Sequence, residues 1–287
     1  MIYDVSWRNP NTWGLLLFHV GALAVFYTGA TTVAVAACLI FNTLRGLGIT
    51  AGYHRCFAHR SFETTPAMRF VLGFFGSLSL QGGLLWWVSR HREHHGVTET
   101  DRDIHSPVAH GLWWGHLGWL MCSETFKNNR SNARDLYAMR ELRWLHHAYP
   151  YLAVGQIPVF YFIGWLLEPW GTSGLQMVTW AVFISVVIEW HMTFMVNSIC
   201  HRWGTRRFAT ADNSRNNFLV ALISYGEGWH NNHHRFPYSE RQGLRWWEFD
   251  LTHYVLTGLS WIGVVWNLKT PPLEEMAAAD RPRTSVA

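Results

Sequence analysis

Two long stretches of this chain, Asn9–Leu44 and Trp144–His201, hold no lysine or arginine. All 23 basic residues lie at Arg8, between Arg45 and Arg143, or from Arg202 onward. The same two stretches are the most apolar parts of the chain. A helix needs about 20 apolar residues to cross a bilayer, so each stretch, extended to its rims, has room for two crossings. This predicts an all-α integral membrane fold with four transmembrane helices in two hairpins, at about 12–28, 30–51, 151–168 and 175–200. The turns fall at Thr28-Gly29 and at "EPWGTSG". Neither tip carries Lys or Arg, so the positive-inside rule puts both tips outside. Both termini and all remaining segments are then cytoplasmic and form a helical cap. A charged fraction of only 15% and 18 tryptophans fit a membrane protein better than a soluble helical enzyme.

Residues 67–88 are apolar enough to span, but a crossing there would put histidines 54–59 and 91–95 on opposite sides of the membrane. They are read as an amphipathic or re-entrant segment, and 251–266 as an interfacial helix. Residues 1–269 form one membrane domain, and the Pro- and Ala-rich tail 270–287 is expected to be disordered. No signal-peptide cleavage site is visible. Cys38, Cys56, Cys122 and Cys200 show no paired spacing and are read as reduced thiols. The net charge of +4 is assigned to loops near anionic headgroups, not to nucleic acid binding.

Nine of the 17 histidines fall into four groups: His54 and His59; His91, His94 and His95; His201, with Asn197 one turn before it; and His230, His233 and His234. Offsets of three and four stack side chains on one helical face. The second and fourth groups can therefore each aim at one spot, as can Asn197 with His201. The offset of five from His54 to His59 leaves that face, so one of the two lies past the helix end or serves a different metal. Imidazole binds iron, zinc, copper and nickel. Nine ligands are too many for one ion and suit two ions at four to five each. The carboxylate di-iron bundles use two Glu-x-x-His pairs; here there is one, Glu227 and His230. His-Glu-x-x-His, the zinc protease signature, is absent.

These boxes, His-x4-His, His-x2-His-His and His-x2-His-His in order, resemble those of the integral-membrane di-iron fatty acyl desaturases, in the stearoyl-CoA and acyl-lipid delta-9 branch. "GYHRCFAHRSF", "QGGLLWWV", "ETDRDIHSP", "HLGWL" and "VNSICH" resemble family segments too, and the likeness runs from roughly Asn9 to Trp266. It implies a di-iron centre held by His54, His59, His91, His94, His95, His201, His230, His233 and His234, with Asn197 reaching one iron through a water. By that pattern one iron takes His54, His95, His201, His230 and His234, and the other takes His59, His91, His94 and His233. An overexpressed sample could carry zinc instead. The implied reaction is O2-dependent insertion of a cis double bond, at delta-9, into an acyl chain on CoA, acyl carrier protein or lipid.

The resemblance also implies a kinked tunnel, with Gln81 near its entrance and Thr193 and Phe194 at its bend. Asp101, Asp103, His105, His116 and Glu227 are candidates for orienting the imidazoles. Glu189, inside the fourth expected span, either lines the tunnel or pairs with His19 or His191; the second reading is preferred. Acyl-CoA members carry Arg-Asp before the second box and a basic pair after Gly-Trp-Leu, where this chain has Ser89-Arg90 and Cys122-Ser123-Glu124. Gly82-Gly83 is similar to the acyl-lipid branch. Lys127, Arg130 and Arg134 are candidates for a phosphate or an acidic carrier protein. No cytochrome b5 segment is visible, so electrons are expected from a separate ferredoxin or cytochrome b5-like donor. The rival readings are a related membrane di-iron hydroxylase or acetylenase, which product mass would separate, and a histidine-rich metal transporter. Transporters bind near the bilayer midplane, whereas eight of the nine histidines here lie outside the expected spans.

Overall fold

The computed structural model describes residues 4–126 and 130–280. Most of them are helical, and three helices are long and apolar enough to cross a membrane: Pro10–Thr28, Thr32–Ala58 and Gly174–His201. Their starts follow from local chemistry. The Asn9 side chain accepts from the Asn11 N–H ahead of Pro10, Thr31 accepts from Ala34, and Ser173 accepts from Gln176. Each cap satisfies an N–H that the first turn leaves open.

The expected span at 151–168 is the second half of a 27-residue helix, Arg140–Leu166. That helix begins about ten residues earlier and is not among the three, because its first turns are charged and histidine-rich and Pro150, Gln156 and Pro158 dilute the rest. It packs closely on the start of Gly174–His201: Gly164 sits on Ser173, Gly174 and Met177 with no room for a Cβ. The two turns expected at the hairpin tips meet. Gln176 donates to the Thr28 carbonyl and accepts from Thr31 and Thr172. The histidine-bearing ends of Thr32–Ala58 and Gly174–His201 line one cavity through His54 and Asn197.

Between these ends, Arg45 ties four segments together. Its buried guanidinium donates to the carbonyls of Leu78 and Ala181, to Ser185 Oγ and to Gln156 Oε1, at 2.5–3.0 Å. A buried cation is tolerable because carbonyl oxygens replace its water.

The segment expected to be re-entrant breaks into two helices. Pro66–Leu78 has 13 residues, about 20 Å of helix against a hydrocarbon core of about 30 Å, so it is too short to cross. Leu80 and Gly82, both at positive φ, turn the chain into Leu84–Val97, which carries the second histidine box. Pro66–Leu78 crosses Thr32–Ala58 at Gly48 and Gly76, where a Cβ on Gly48 would strike the backbone of Phe75 and Gly76.

Three expectations need correction. The helix expected over 251–266 ends at Trp261, and Val265–Trp266 pairs antiparallel with Glu63–Thr64 in a mostly helical fold. The tail is not disordered from 270. Leu273–Ala279 is helical, and Asp280 pairs with Arg207 at 2.8 Å, tying it to the segment after His201; residues 281–287 lie outside the described residues. The helix at the second expected span continues to Ala58, so His54 is inside a helix and not beyond it. The four cysteines are free and buried, as expected.

Candidate metal centre

The helix through the first box changes its winding. From Gly48 to Ala58 it is a π-helix, with i→i+5 hydrogen bonds. Winding of that kind places residues five apart over one another. The His59 N–H reaches the His54 carbonyl at 3.1 Å, and the two rings lie 4.8 Å apart. His59 is the residue just past the helix end, and it faces the same centre as His54.

The third box sits on a helix of only six residues, His230–Arg235, too short to persist alone. Asparagines hold it. Asn216 Oδ1 accepts from the N–H groups of Asn231 and Asn232, and its Nδ2 donates to Asn232 Oδ1. Asn232 in turn donates to the Gln242 carbonyl and Glu248, and Asn231 to the Phe208 carbonyl. Before this helix Gly226 has φ +112°, and a Cβ there would meet Asp250, so "GEG" brings Glu227 down beside Arg55.

The nine histidines converge in two groups. His54, His59, His91, His95 and His233 form one, and His94, His201, His230 and His234 the other; within each group the ligand nitrogens lie within 4.8 Å of one another. Neither HxxHH box aims at a single spot, and the expected division does not hold. His54 and His95 belong with His59, His91 and His233, and His94 belongs with His201, His230 and His234. The reason lies in helix geometry. In each box the offset-four pair shares a face, while the middle histidine is turned by about 100° from its neighbour. His91 and His95 therefore serve the first group and send His94 to the second. His230 and His234 serve the second and send His233 to the first.

Carboxylates stand behind four of the rings. Glu227 contacts His54 Nδ1, Asp103 lies 3.0 Å from His94 Nδ1, Glu99 2.9 Å from His201 Nδ1, and Asp212 2.7 Å from His234 Nδ1. Burial works against ionising these acids, but their partners outweigh it. His54 and Arg55 hold Glu227 at about 2, His94 and His105 hold Asp103 well below its ordinary range, and His234 with Ser214 does the same for Asp212. Burial and the neighbouring rings push His91, His95, His230 and His233 well below the ordinary imidazole range. Burial also lowers His234, to about 4, against the pull of Asp212. These five rings are thus neutral, and carboxylates stand beside the centre.

This arrangement fits metal ions. Where Nδ1–H is given to a carboxylate, Nε2 carries the lone pair. His54 Nε2 lies 3.2 Å from His233 Nε2, which lies 3.0 Å from His95 Nε2; His91 Nε2 is 3.0 Å from His95 and 2.8 Å from His59. A neutral Nε2 offers one proton or one lone pair, so His91, His95 and His233, each with two such neighbours, cannot all be satisfied by hydrogen bonds. His234 Nε2, buried and without a hydrogen bond, points to the same conclusion in the second group. A cation in each group satisfies these nitrogens together. All-imidazole donors suit a transition metal over magnesium or calcium, and five of them exceed a tetrahedral zinc shell.

The other candidates divide. Asp103 and Glu227 contact the rings of His94 and His54, and His105 lies 4.4 Å from His94, tilted by 38°, with Asp103 beside it. Asp101 is exposed and bonds no histidine among the described residues. His116 joins a separate row: its Nε2 meets His191 Nδ1 at 2.9 Å, and His191 Nε2 meets His19 Nε2 at 3.1 Å. The preferred pairing of Glu189 with a histidine is therefore wrong, because both rings are taken. Glu189 lines a cavity instead. Sequence reasoning missed Glu99 and Asp212. Glu99 stands in an acidic run directly after the second box, a usable signal; Asp212 arrives on a loop and left none.

Three cavities follow one another past the first group. The outermost is lined by Leu15, Phe18, Gln81, Trp190 and Phe194, the middle one by Gln81, Trp87, His91, Thr193, Phe194 and Asn197, and the innermost by His54, His91, Glu189, Met192, Thr193 and Val196. Asn197 also lines the innermost cavity beside His230. Gln81 Nε2 donates to Thr193 Oγ1 at 2.9 Å, so the three expected substrate residues do come together.

Residues 30–261 match the family model for fatty acid desaturase. The chain is 38% identical to an icosanoyl-CoA 5-desaturase of Limnanthes douglasii, over 92% of this chain and 75% of that protein. It is 41% identical to delta-9 acyl-lipid desaturase 1 of Arabidopsis thaliana, over 84% and 77%. It is 37% identical to an sn-1 stearoyl-lipid 9-desaturase of Anabaena variabilis, over 93% and 94%.

Proposed function

Because the chain belongs to the fatty acid desaturase family, and so to a class of oxidoreductases, we propose that it inserts a cis double bond at delta-9 into a lipid-bound acyl chain. The observation that carries this reading is the row of apolar cavities running past the first histidine group. An unactivated alkyl chain offers no group for acid–base chemistry, so its oxidation calls for a redox centre beside a tunnel. Two iron ions, bound by the nine histidines with Asn197 acting through a water, would supply oxidising power drawn from O2 and two external electrons. The protein's own residues do the rest. Glu99, Asp103, Asp212 and Glu227 keep the ligand rings turned so that Nε2 faces the metal. Gln81 and Thr193 pin the bend of the tunnel, and Trp87, Met192 and Val196 exclude water from the carbon pair.

The lipid carrier is favoured by what stands where acyl-CoA members are basic. Arg90 is spent on Glu93 at 2.8 Å and on the Glu124 carbonyl, and Arg134 is exposed. Lys127 lies outside the described residues, as does the side chain of Arg130. The delta-9 position is supported by two of the three relatives named above, and the Limnanthes protein is named for position 5. Four spans, with Arg140–Leu166 supplying the third in chain order, would leave the centre and both termini in the cytoplasm. There a ferredoxin or cytochrome b5-like donor reaches the centre through the basic cap. The test is expression in a host of known lipid composition beside a His233→Ala control, with products located by mass spectrometry. The proposal expects a cis monoene at one fixed position, absent from the control. A hydroxylated product, two oxidation levels at one bond, or a profile equal to the control with iron bound would overturn it.

A further inference from the structure

Glu189 is 2% exposed on the helix Gly174–His201 and faces the innermost cavity, along with His54, His91, Trp87, Met192 and Thr193. Its Oε1 accepts long hydrogen bonds from Gln81 Nε2 (3.4 Å) and Thr193 Oγ1 (3.5 Å), and its Oε2 has no partner. The nearby Arg45 attracts it through space but gives it no hydrogen bond, since its N–H groups go to Leu78, Ala181, Ser185 and Gln156. His191, two residues on, bonds His19 and His116. An oxygen left bare in an apolar cavity is disfavoured whether the acid is charged or protonated. A plain alkyl chain passing it would cover that oxygen and give nothing in return.

We propose that Glu189 is a specificity-determining residue that selects acyl chains carrying a hydroxyl at its depth in the tunnel. A hydroxyl both donates and accepts, so it meets either protonation state of the carboxyl. An alkyl or ester substituent does not meet both. The position of the hydroxyl along the chain is set by the distance from the first histidine group, which shares this cavity through His54 and His91. The inference rests on the acyl-chain reading above.

The experiment uses the full chain, metal-loaded, in lipid nanodiscs, and reads ligand affinity directly. The ligands are a glycerolipid whose acyl chain is octadecanoate or one of its mono-hydroxy positional isomers. One isomer, or two adjacent ones, is expected to bind the wild type roughly tenfold more tightly than the octadecanoate lipid, the scale of one buried hydrogen bond. Glu189→Leu should erase that preference while binding the octadecanoate lipid at least as well. Glu189→Gln, which keeps a polar head of the same shape, should retain part of it, and unchanged metal content in both variants shows that they fold. Equal affinities for all isomers in the wild type, or a preference that survives Glu189→Leu, would overturn the proposal and leave an ordered water as the partner of Oε2. Failure of the octadecanoate lipid and every isomer to bind any variant would overturn the acyl-chain reading along with it.

Discussion

Each carboxylate behind a ligand ring does two things: it fixes the tautomer that offers Nε2 to the metal, and it supplies negative charge. Neutralising one of them without changing its shape removes the charge but keeps the packing. Asp212→Asn and Glu227→Gln should therefore each weaken metal binding by roughly 10- to 100-fold, read by titration against a competing chelator. Asp101→Asn, at an exposed side chain, should change nothing. The titrations also set how stability depends on pH. His91, His95, His230 and His233 stay neutral in the folded chain well below the pH at which they protonate when unfolded, about 6.5. Below that pH the unfolded chain binds more protons, so stability falls with acid. Glu227 adds a second loss, beginning near the unfolded value of about 4 and complete near its folded value of about 2. The unfolding temperature of the metal-free protein should therefore drop steadily from pH 7 to pH 5. A flat profile would mean that these rings are not buried neutral. The nine histidines were legible from their spacing and from the resemblance. Glu99 and Asp212 were less so, because which acid reaches which ring is decided by loop paths and not by helical periodicity.

At the scale of elements, the π-wound segment Gly48–Ala58 ends a helix long and apolar enough to cross a membrane, carries His54, and lets an offset of five serve a single group. Its position depends on the backbone contact between Gly48 and Gly76. Gly48→Ala should force the two helices apart, cost about 1–3 kcal/mol, and lower metal retention by displacing His54. Thermal unfolding and metal content measured on the same sample would show both effects; a stable, fully loaded variant would contradict the account. The two Lys/Arg-free stretches did locate the apolar helices, because charge is expensive in hydrocarbon whatever the tertiary context. The π winding could not be read, since His-x4-His is equally compatible with a ligand beyond an α-helix end. The expected division of ligands failed for a related reason. Spacing says which side chains share a face, and the place of the second ion depends on how three helices cross.

At the scale of the whole molecule, apolar helices hold a row of cavities beside the histidine groups. If the carrier is a lipid, labelled double bonds should appear in intact membrane glycerolipids when acyl-CoA synthesis is blocked. Lipid class analysis would check this, and products confined to the CoA pool would refute it. The claim on which everything else depends is that two ions sit in two unequal histidine groups. Anomalous difference maps recorded at the iron edge from crystals of the metal-loaded protein test it most directly. Two peaks are expected, one within bonding reach of His54, His59, His91, His95 and His233, the other of His94, His201, His230 and His234. A single peak, or two peaks that keep each HxxHH box whole, would contradict it.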